Sequence, residues 1–508
     1  MSFFCYNVIW NGVLNMLHLS DIKKYERCNK LYHLSTTERK RNSFFSFFHP
    51  FENMDKLVKT KLNISRSFEG VRNDATDKTL GAMKEHEWII NGRFEYRTLR
   101  VKIPYMQQVS SKWNIYFLIL QHYPTQDKAK EFAYNIEILK KQGININNVF
   151  IIHLNKEYVR DGELNANEFL TVTDCFYNQK GNLSFSIVES IDKCAIDVDS
   201  IIDEITSFNY VDEKIKKEPK CTRGTKCDYF NVCFPDYDVV DDNSILHLVS
   251  SQNKYEMYDN NITELIDVDL DRVEGTRMQY AQVMASRQSD GFFMDQLALK
   301  CWFQTLVNDK ICTFLDFEWD IYCVPPYDGM SPLQVLPFQY SIHTYSNWKI
   351  DHREFLGLYD CREELIKQLL EDIPDEGPIF AYNAKGAEAL RLKELGMSFP
   401  QYEQELTDII NRLEDLSIPF ETGLIYDLRM RGLFSLKALS NMLHPEDNYD
   451  DLSVSNGLEA VRLHRELEKI SDNEVSENIR KQLLEYCSKD TSELLSVYLW
   501  IKEKCGIL

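Results

Sequence analysis

Hydrophobic positions in this chain come in short runs, some alternating as strands do and some spaced as one face of a helix. The clearest is Ile311-Cys312-Thr313-Phe314-Leu315, an apolar run that predicts a buried strand with Asp316 and Glu318 near its end. Residues two apart on a strand share a face, so both acids enter the same space. Further strands are predicted over 338–343 and 378–382, with helices over 387–395, 402–416 and 477–502. Upstream, strand patterns over 113–120 and 148–154 flank a helical one over 128–141. Between these halves, 237–300 is acidic and polar with short amphipathic patches at 245–249 and 262–268, and reads as a helical connector. The expectation is α/β throughout, in three segments: 1–236, 237–300 and 301–508.

A length of 508 residues fits two to four domains with ample core. The formal charge of -21 excludes a generally basic nucleic-acid coat protein. Roughly 33 Lys and Arg face roughly 29 Asp and Glu through Phe234, against roughly 25 and 50 beyond it, so the acidity belongs to the C-terminal half. That half needs a cation before it accommodates phosphate. Thirteen cysteines without a secretory pattern point to reduced thiols or metal ligands, hence a cytoplasmic protein. The opening residues are interrupted by Asn7, Asn11 and Asn15 and have no basic leader, so no signal peptide is expected, and Met16 is an alternative start. No apolar run reaches the ~18 residues of a membrane span.

Two carboxylates crowded together are costly unless a cation sits between their oxygens, which makes a hard metal ion the economical reading of Asp316 and Glu318. Tyr486 and Asp490 stand at i, i+4 on a predicted helix and add a tyrosine and a third acid. After the strand ending near Asn383, Glu388 adds a fourth; Asp415 competes for that place. In this order the residues resemble the DnaQ-like 3'-to-5' exonucleases of the RNase H-like fold, in the subclass ending in Tyr-x-x-x-Asp. The resemblance covers about the last two hundred residues. It implies two Mg²⁺ or Mn²⁺ ions about 3.5–4 Å apart at the scissile phosphate. Asp316 would bridge both, Glu318 and Asp490 would hold the nucleophile-side ion, Glu388 the second, and Tyr486 would orient the attacking water. The family's usual acid at the second motif is Asp, so Glu388 is a departure.

Cys221, Cys227 and Cys233 are separated by five residues each, and Cys28 lies far upstream, a spacing unlike a zinc-knuckle pair. It resembles the four-cysteine staple of RecB-like and CRISPR-associated PD-(D/E)xK nucleases, with 19–28 as their opening helix. That likeness implies a [4Fe-4S] cluster joining the ends of a restriction-endonuclease-like domain. A zinc ion or four unrelated thiols are the alternatives. Where that family carries Asp and Glu-x-Lys, this chain places Lys102, Ile119 and Gln121, so the domain is expected to be a pseudonuclease. Its basic residues, among them Lys23, Lys24, Arg27, Lys30, Arg39, Lys40 and Arg41 with Tyr25, Tyr32 and His33, and later Lys214, Lys216, Lys217, Lys220, Arg223 and Lys226, are candidates for phosphate and base contact or simply a solvated face.

Together the halves resemble a bacterial family of unknown function that fuses these two folds. The likeness rests on the runs 314–318, 337–343 and 381–383, on Glu388, Gly432, Ser435-Leu436-Lys437, Tyr486-Cys487 and Asp490-Thr491, and upstream on His153-Leu154-Asn155, Tyr158-Val159-Arg160 and Gly162. The leading expectation is a metal-dependent exonuclease on single-stranded DNA or RNA ends. The rival is a non-catalytic nucleic-acid or partner scaffold in which both folds are degenerate.

Overall fold

The structure, a computed structural model, describes residues 16–37, 47–49, 53–211, 215–222, 225–239, 241–306, 311–446, 449 and 452–506. Residues 1–15, Arg39, Lys40, Arg41, Lys214 and Arg223 lie outside these. The fold is mixed α/β, and the chain divides into two compact units. One comprises residues up to 44, 50–234 and 323–333; the other comprises 45–49, 235–322 and 334–508. Residues 237–300 thus fall in the second unit.

The first unit is built on a six-stranded sheet in sequential order: β1 (Ser67–Glu69), β2 (Trp88–Tyr96), β3 (Leu99–Val109), β4 (Lys112–Ile119), β5 (Ile146–Leu154) and β6 (Leu170–Thr173). β2, β3 and β4 form an antiparallel meander, whereas β4 and β5 run parallel. A parallel pair needs a crossover. It is supplied by α3 (Ala129–Lys141), whose Phe132 stacks on Phe117 at 4.0 Å and whose Ile136 and Leu139 enter the core. The helices α1 (Leu19–Arg27) and α2 (Asn29–Thr37) open the unit, and a small hairpin of β7 (Cys175–Tyr177) and β8 (Leu183–Ser186) follows the sheet. Neither β3 nor β4 carries an acid; Lys102 is exposed on β3, Ile119 closes β4 and Gln121 follows it.

Within this unit Arg160 holds the 323–333 segment. Its Nη1 donates to the carbonyls of Pro325 (2.9 Å) and Pro326 (2.6 Å), its backbone exchanges bonds with Met330 and Gly329, and Gly162 N–H reaches Asp328 Oδ1 at 2.9 Å. The Arg160 and Gly162 run noted in the sequence has this packing role.

The second unit centres on a five-stranded sheet made of β10 (Cys312–Tyr322), β11 (Gln334–Ser346), β12 (Lys349–Leu356), β13 (Ile379–Ala381) and β14 (Leu413–Asp415), in the order β12-β11-β10-β13-β14. The first three strands are antiparallel; β13 and β14 join parallel to β10. Alternation on β10 sends Cys312 and Phe314 to one face, under α9 (Asn473–Lys504), and Leu315 and Phe317 to the other, under α4 (Arg362–Asp372) and α5 (Glu388–Ser398). Asp316 and Glu318 therefore sit mid-strand, because the strand runs on to Tyr322. The helix expected over 402–416 also differs: α6 (Glu403–Asn411) stops, and Leu413–Asp415 pairs with β13 instead. A backbone pairing partner outweighed the helical periodicity of that segment. β9 (Phe292–Met294) pairs with β15 (Ile425–Asp427), and α7 (Leu436–Leu443) and α8 (Gly457–Leu467) pack on α9. Among the described residues no helix is long and apolar enough to cross a membrane.

Candidate metal centre

One carboxylate oxygen from each of Asp316, Glu318 and Asp490 lies within 4.8 Å of the others, and all three residues are half-buried. The pleat of β10 presents the first two on one face, and α9 crossing that face presents the third. Tyr486, one helical turn before Asp490, lies close enough to that carboxylate to favour its charged form. Glu388 opens α5 directly after the Asn383 turn, is 2% exposed, and keeps Oε2 without a hydrogen-bond partner. It lies close enough to Asp316 to act on its charge.

Each acid is disturbed in the same direction. Burial first, then Asp490, Glu318 and Glu388, push Asp316 well above the usual carboxylate range. Burial and Asp490 raise Glu318 to about 8. Burial, with Asp415, raises Glu388 to about 8 against its own backbone bond and Arg391. Burial lifts Asp490 to about 7 although the Tyr449 and Tyr486 hydroxyls oppose it. Acids whose charged forms burial disfavours, gathered in one space, are a setting that a cation would relieve. An all-oxygen donor set with an orphaned buried carboxylate oxygen fits Mg²⁺ or Mn²⁺.

Asp415, the competitor for Glu388, has structural work: Oδ1 accepts the N–H groups of Asn383 and Ser417, both at 2.9 Å, and so ties the end of β13 to that of β14. Three further residues join the site that the sequence pattern did not single out as ligands. Tyr449 donates to Asp490 Oδ1 at 2.6 Å. Lys437 lies over the Tyr449 ring at 5.3 Å and donates to Ser455 O. Cys487, fully buried, places Sγ 3.7 Å from Asp316 Oδ2. Cys487 and Lys437 stand in runs that the family likeness picked out; Tyr449 stands in a polar stretch of sequence with no local pattern to betray it. Two residues beyond Glu318, Asp320 is paired with Arg465 and His49, and these bonds outweigh burial to hold its carboxyl below the usual range.

In the first unit, Cys28, Cys221, Cys227 and Cys233 line one cavity with Arg27, Leu31, Lys220, Tyr229, Phe230 and Phe234. Cys28 sits between α1 and α2, and the others surround the short helix Phe230–Cys233. All four are free thiols. Burial raises Cys233, and the other three thiols add to it against Lys30, which puts all four within electrostatic reach. Arg27 Nη2 closes the site by donating to the carbonyls of Lys220 (3.1 Å) and Thr225 (2.9 Å). The aromatic candidates nearby are engaged with the protein itself: His33 stacks on Tyr210 at 3.8 Å, Tyr25 and Tyr32 pack edge-on with Phe208, and Lys23 pairs with Glu131.

Residues 313–435 match the model of a domain of unknown function, DUF2779. The matched stretch holds Asp316, Glu318 and Glu388 and stops short of Tyr486 and Asp490. No curated protein and no solved structure matches the chain.

Proposed function

We propose that the second unit is an RNase H-like, DnaQ-type 3'-to-5' exonuclease that hydrolyses phosphodiester bonds at single-stranded DNA or RNA ends. The observation that carries this reading is the convergence of Asp316, Glu318 and Asp490, with Tyr486 beside Asp490. A sheet of three antiparallel strands continued by two parallel ones, with acids on its central strand and on a helix packed across it, supports it. Asp316, Glu318, Asp490 and Glu388 would hold two divalent ions, which supply positive charge to the phosphate and lower the pKa of a bound water. Asp316, on whose charge the other three acids all act, would be shared. Tyr486, beside Asp490, would direct the attacking water, while Tyr449 holds Oδ1 of the same carboxylate.

End-labelled single strands incubated with Mn²⁺ test this. Wild type is expected to shorten them from the 3' end and Asp316→Ala to leave them intact. Retention of the strands without cutting by wild type would favour the scaffold reading instead.

The first unit, on the same proposal, is a restriction-endonuclease-like pseudonuclease, since β3 and β4 offer no acid for a metal. Its four-cysteine cavity would hold a [4Fe-4S] cluster, a cofactor bound by four thiolates. Protein purified without oxygen is expected to be brown, and Cys227→Ser to be colourless; one zinc per chain in a colourless wild type would refute the cluster.

A further inference from the structure

We propose that Asp320, Arg465 and His49 form a buried lock that aims Glu318, which makes residues 47–49 a positioning element of the metal centre; this rests on the metal-dependent reading above. The strand register shifts between Glu318 and Trp319. The extra residue is Phe338 of β11, and the interrupted ladder leaves β10 beyond Glu318 to be fixed by other contacts. Two residues past Glu318 stands Asp320, 1% exposed, whose carboxylate is enclosed by donors: Arg465 Nε at 2.7 Å, Arg465 Nη2 at 2.6 Å, His49 Nδ1 at 2.7 Å and the N–H of Ile321 at 2.7 Å. Arg465 belongs to α8, and the first residue of α8, Gly457, lies so near that a Cβ there would stand 3.5 Å from Glu318 Oε2. One ion pair therefore fixes both the strand beyond the bulge and the helix that walls Glu318.

The 47–49 segment completes the lock. His49 N–H donates to Ile321 O at 2.8 Å, its ring stacks on Tyr322 at 4.4 Å, and Arg465 Nη2 also reaches Phe47 O at 3.4 Å. A buried ion pair adds little net stability over apolar residues of the same volume, because desolvation offsets the attraction. Its value is geometric. Groups that orient a metal's ligands typically change affinity by about 10–100-fold when altered.

Mn²⁺ binding to the full chain, read from the free-ion paramagnetic resonance signal, tests the lock. His49→Phe keeps the ring stack and loses the hydrogen bond; Arg465→Lys keeps the charge and loses the fork. Each is expected to weaken Mn²⁺ binding on the order of tenfold at a temperature where the variant is still fully folded. Neither should weaken it further in a Glu318→Gln background, since the effect runs through Glu318. Unchanged affinity in both variants, a loss that only follows a fall in melting temperature, or an equal loss in the Glu318→Gln background would overturn the lock. Should Arg465→Lys not fold, His49→Phe decides alone. If wild type binds no Mn²⁺ that Asp316→Ala removes, the metal centre itself is refuted and the lock with it. Wild-type binding with unaffected variants refutes the lock only.

Discussion

At the scale of single residues, the centre is a cluster of carboxylates whose charged forms are disfavoured first by burial and then by neighbouring acids. Ordinary carboxylates titrate near 4, whereas Glu318 and Glu388 are raised to about 8 and Asp490 to about 7. Between those values the folded chain holds protons that the unfolded chain has released, so stability falls as pH rises through that window. Metal-free protein is thus expected to melt at progressively lower temperature from pH 5 to pH 8, and Mg²⁺ or Mn²⁺ to restore more at pH 8 than at pH 5. By the same logic Asp316→Asn, which removes the most crowded charge, should raise the melting temperature of metal-free protein at pH 8 by a few degrees and make it insensitive to Mn²⁺. A scanning-fluorimetry series in chelator and in Mn²⁺ reads both outcomes, and a lower melting temperature for Asp316→Asn would contradict the account. Asp316, Glu318, Tyr486 and Asp490 were legible in the sequence because strand and helix periodicities each predict a shared face. Tyr449 was not, since no periodic pattern surrounds it in the sequence.

At the scale of elements, the centre depends on how α9 is seated across β10 and β11. Thr491, fully buried and next to Asp490, contacts both Ser341 Oγ and His343 Nδ1 at 2.8 Å. Ser341 is the register partner of Asp316, so this bond network ties the two carboxylate-bearing elements together. Thr491→Val would strand buried polar atoms at a cost of about 1–3 kcal/mol. It is expected to lower the urea midpoint and to slow strand shortening as Asp490 loosens; an unchanged midpoint would show that the network contributes little. The 402–416 segment shows where periodicity misleads: its apolar spacing fits a helix, yet Leu413–Asp415 gains backbone partners on β13, and Asp415 Oδ1 then accepts the N–H of Asn383.

At the scale of the whole molecule, the two units are not cut from the chain at one point. Residues 45–49 count with the second and 323–333 with the first. A fragment of residues 237–508 would lack His49, leaving Asp320 one donor short, and a fragment of residues 1–236 would lack the carbonyls of Pro325 and Pro326 that satisfy Arg160. Each fragment is expected to melt below the corresponding transition of the full chain in calorimetry; fragments as stable as the full chain would show that these contacts are dispensable.

The sequence by itself determined the α/β character, the acid pair on a buried strand, the tyrosine and acid on a helix, and the four candidate cysteines, because all of these derive from local periodicity and residue chemistry. Only the tertiary structure decided that Asp490 meets Asp316 and Glu318, that Glu388 keeps a buried carboxylate oxygen without a partner, that the four thiols share one cavity, and that His49 reaches Asp320. Those facts depend on strand order and on which helix crosses which face, and contacts between residues hundreds of positions apart leave no periodic trace in a single chain.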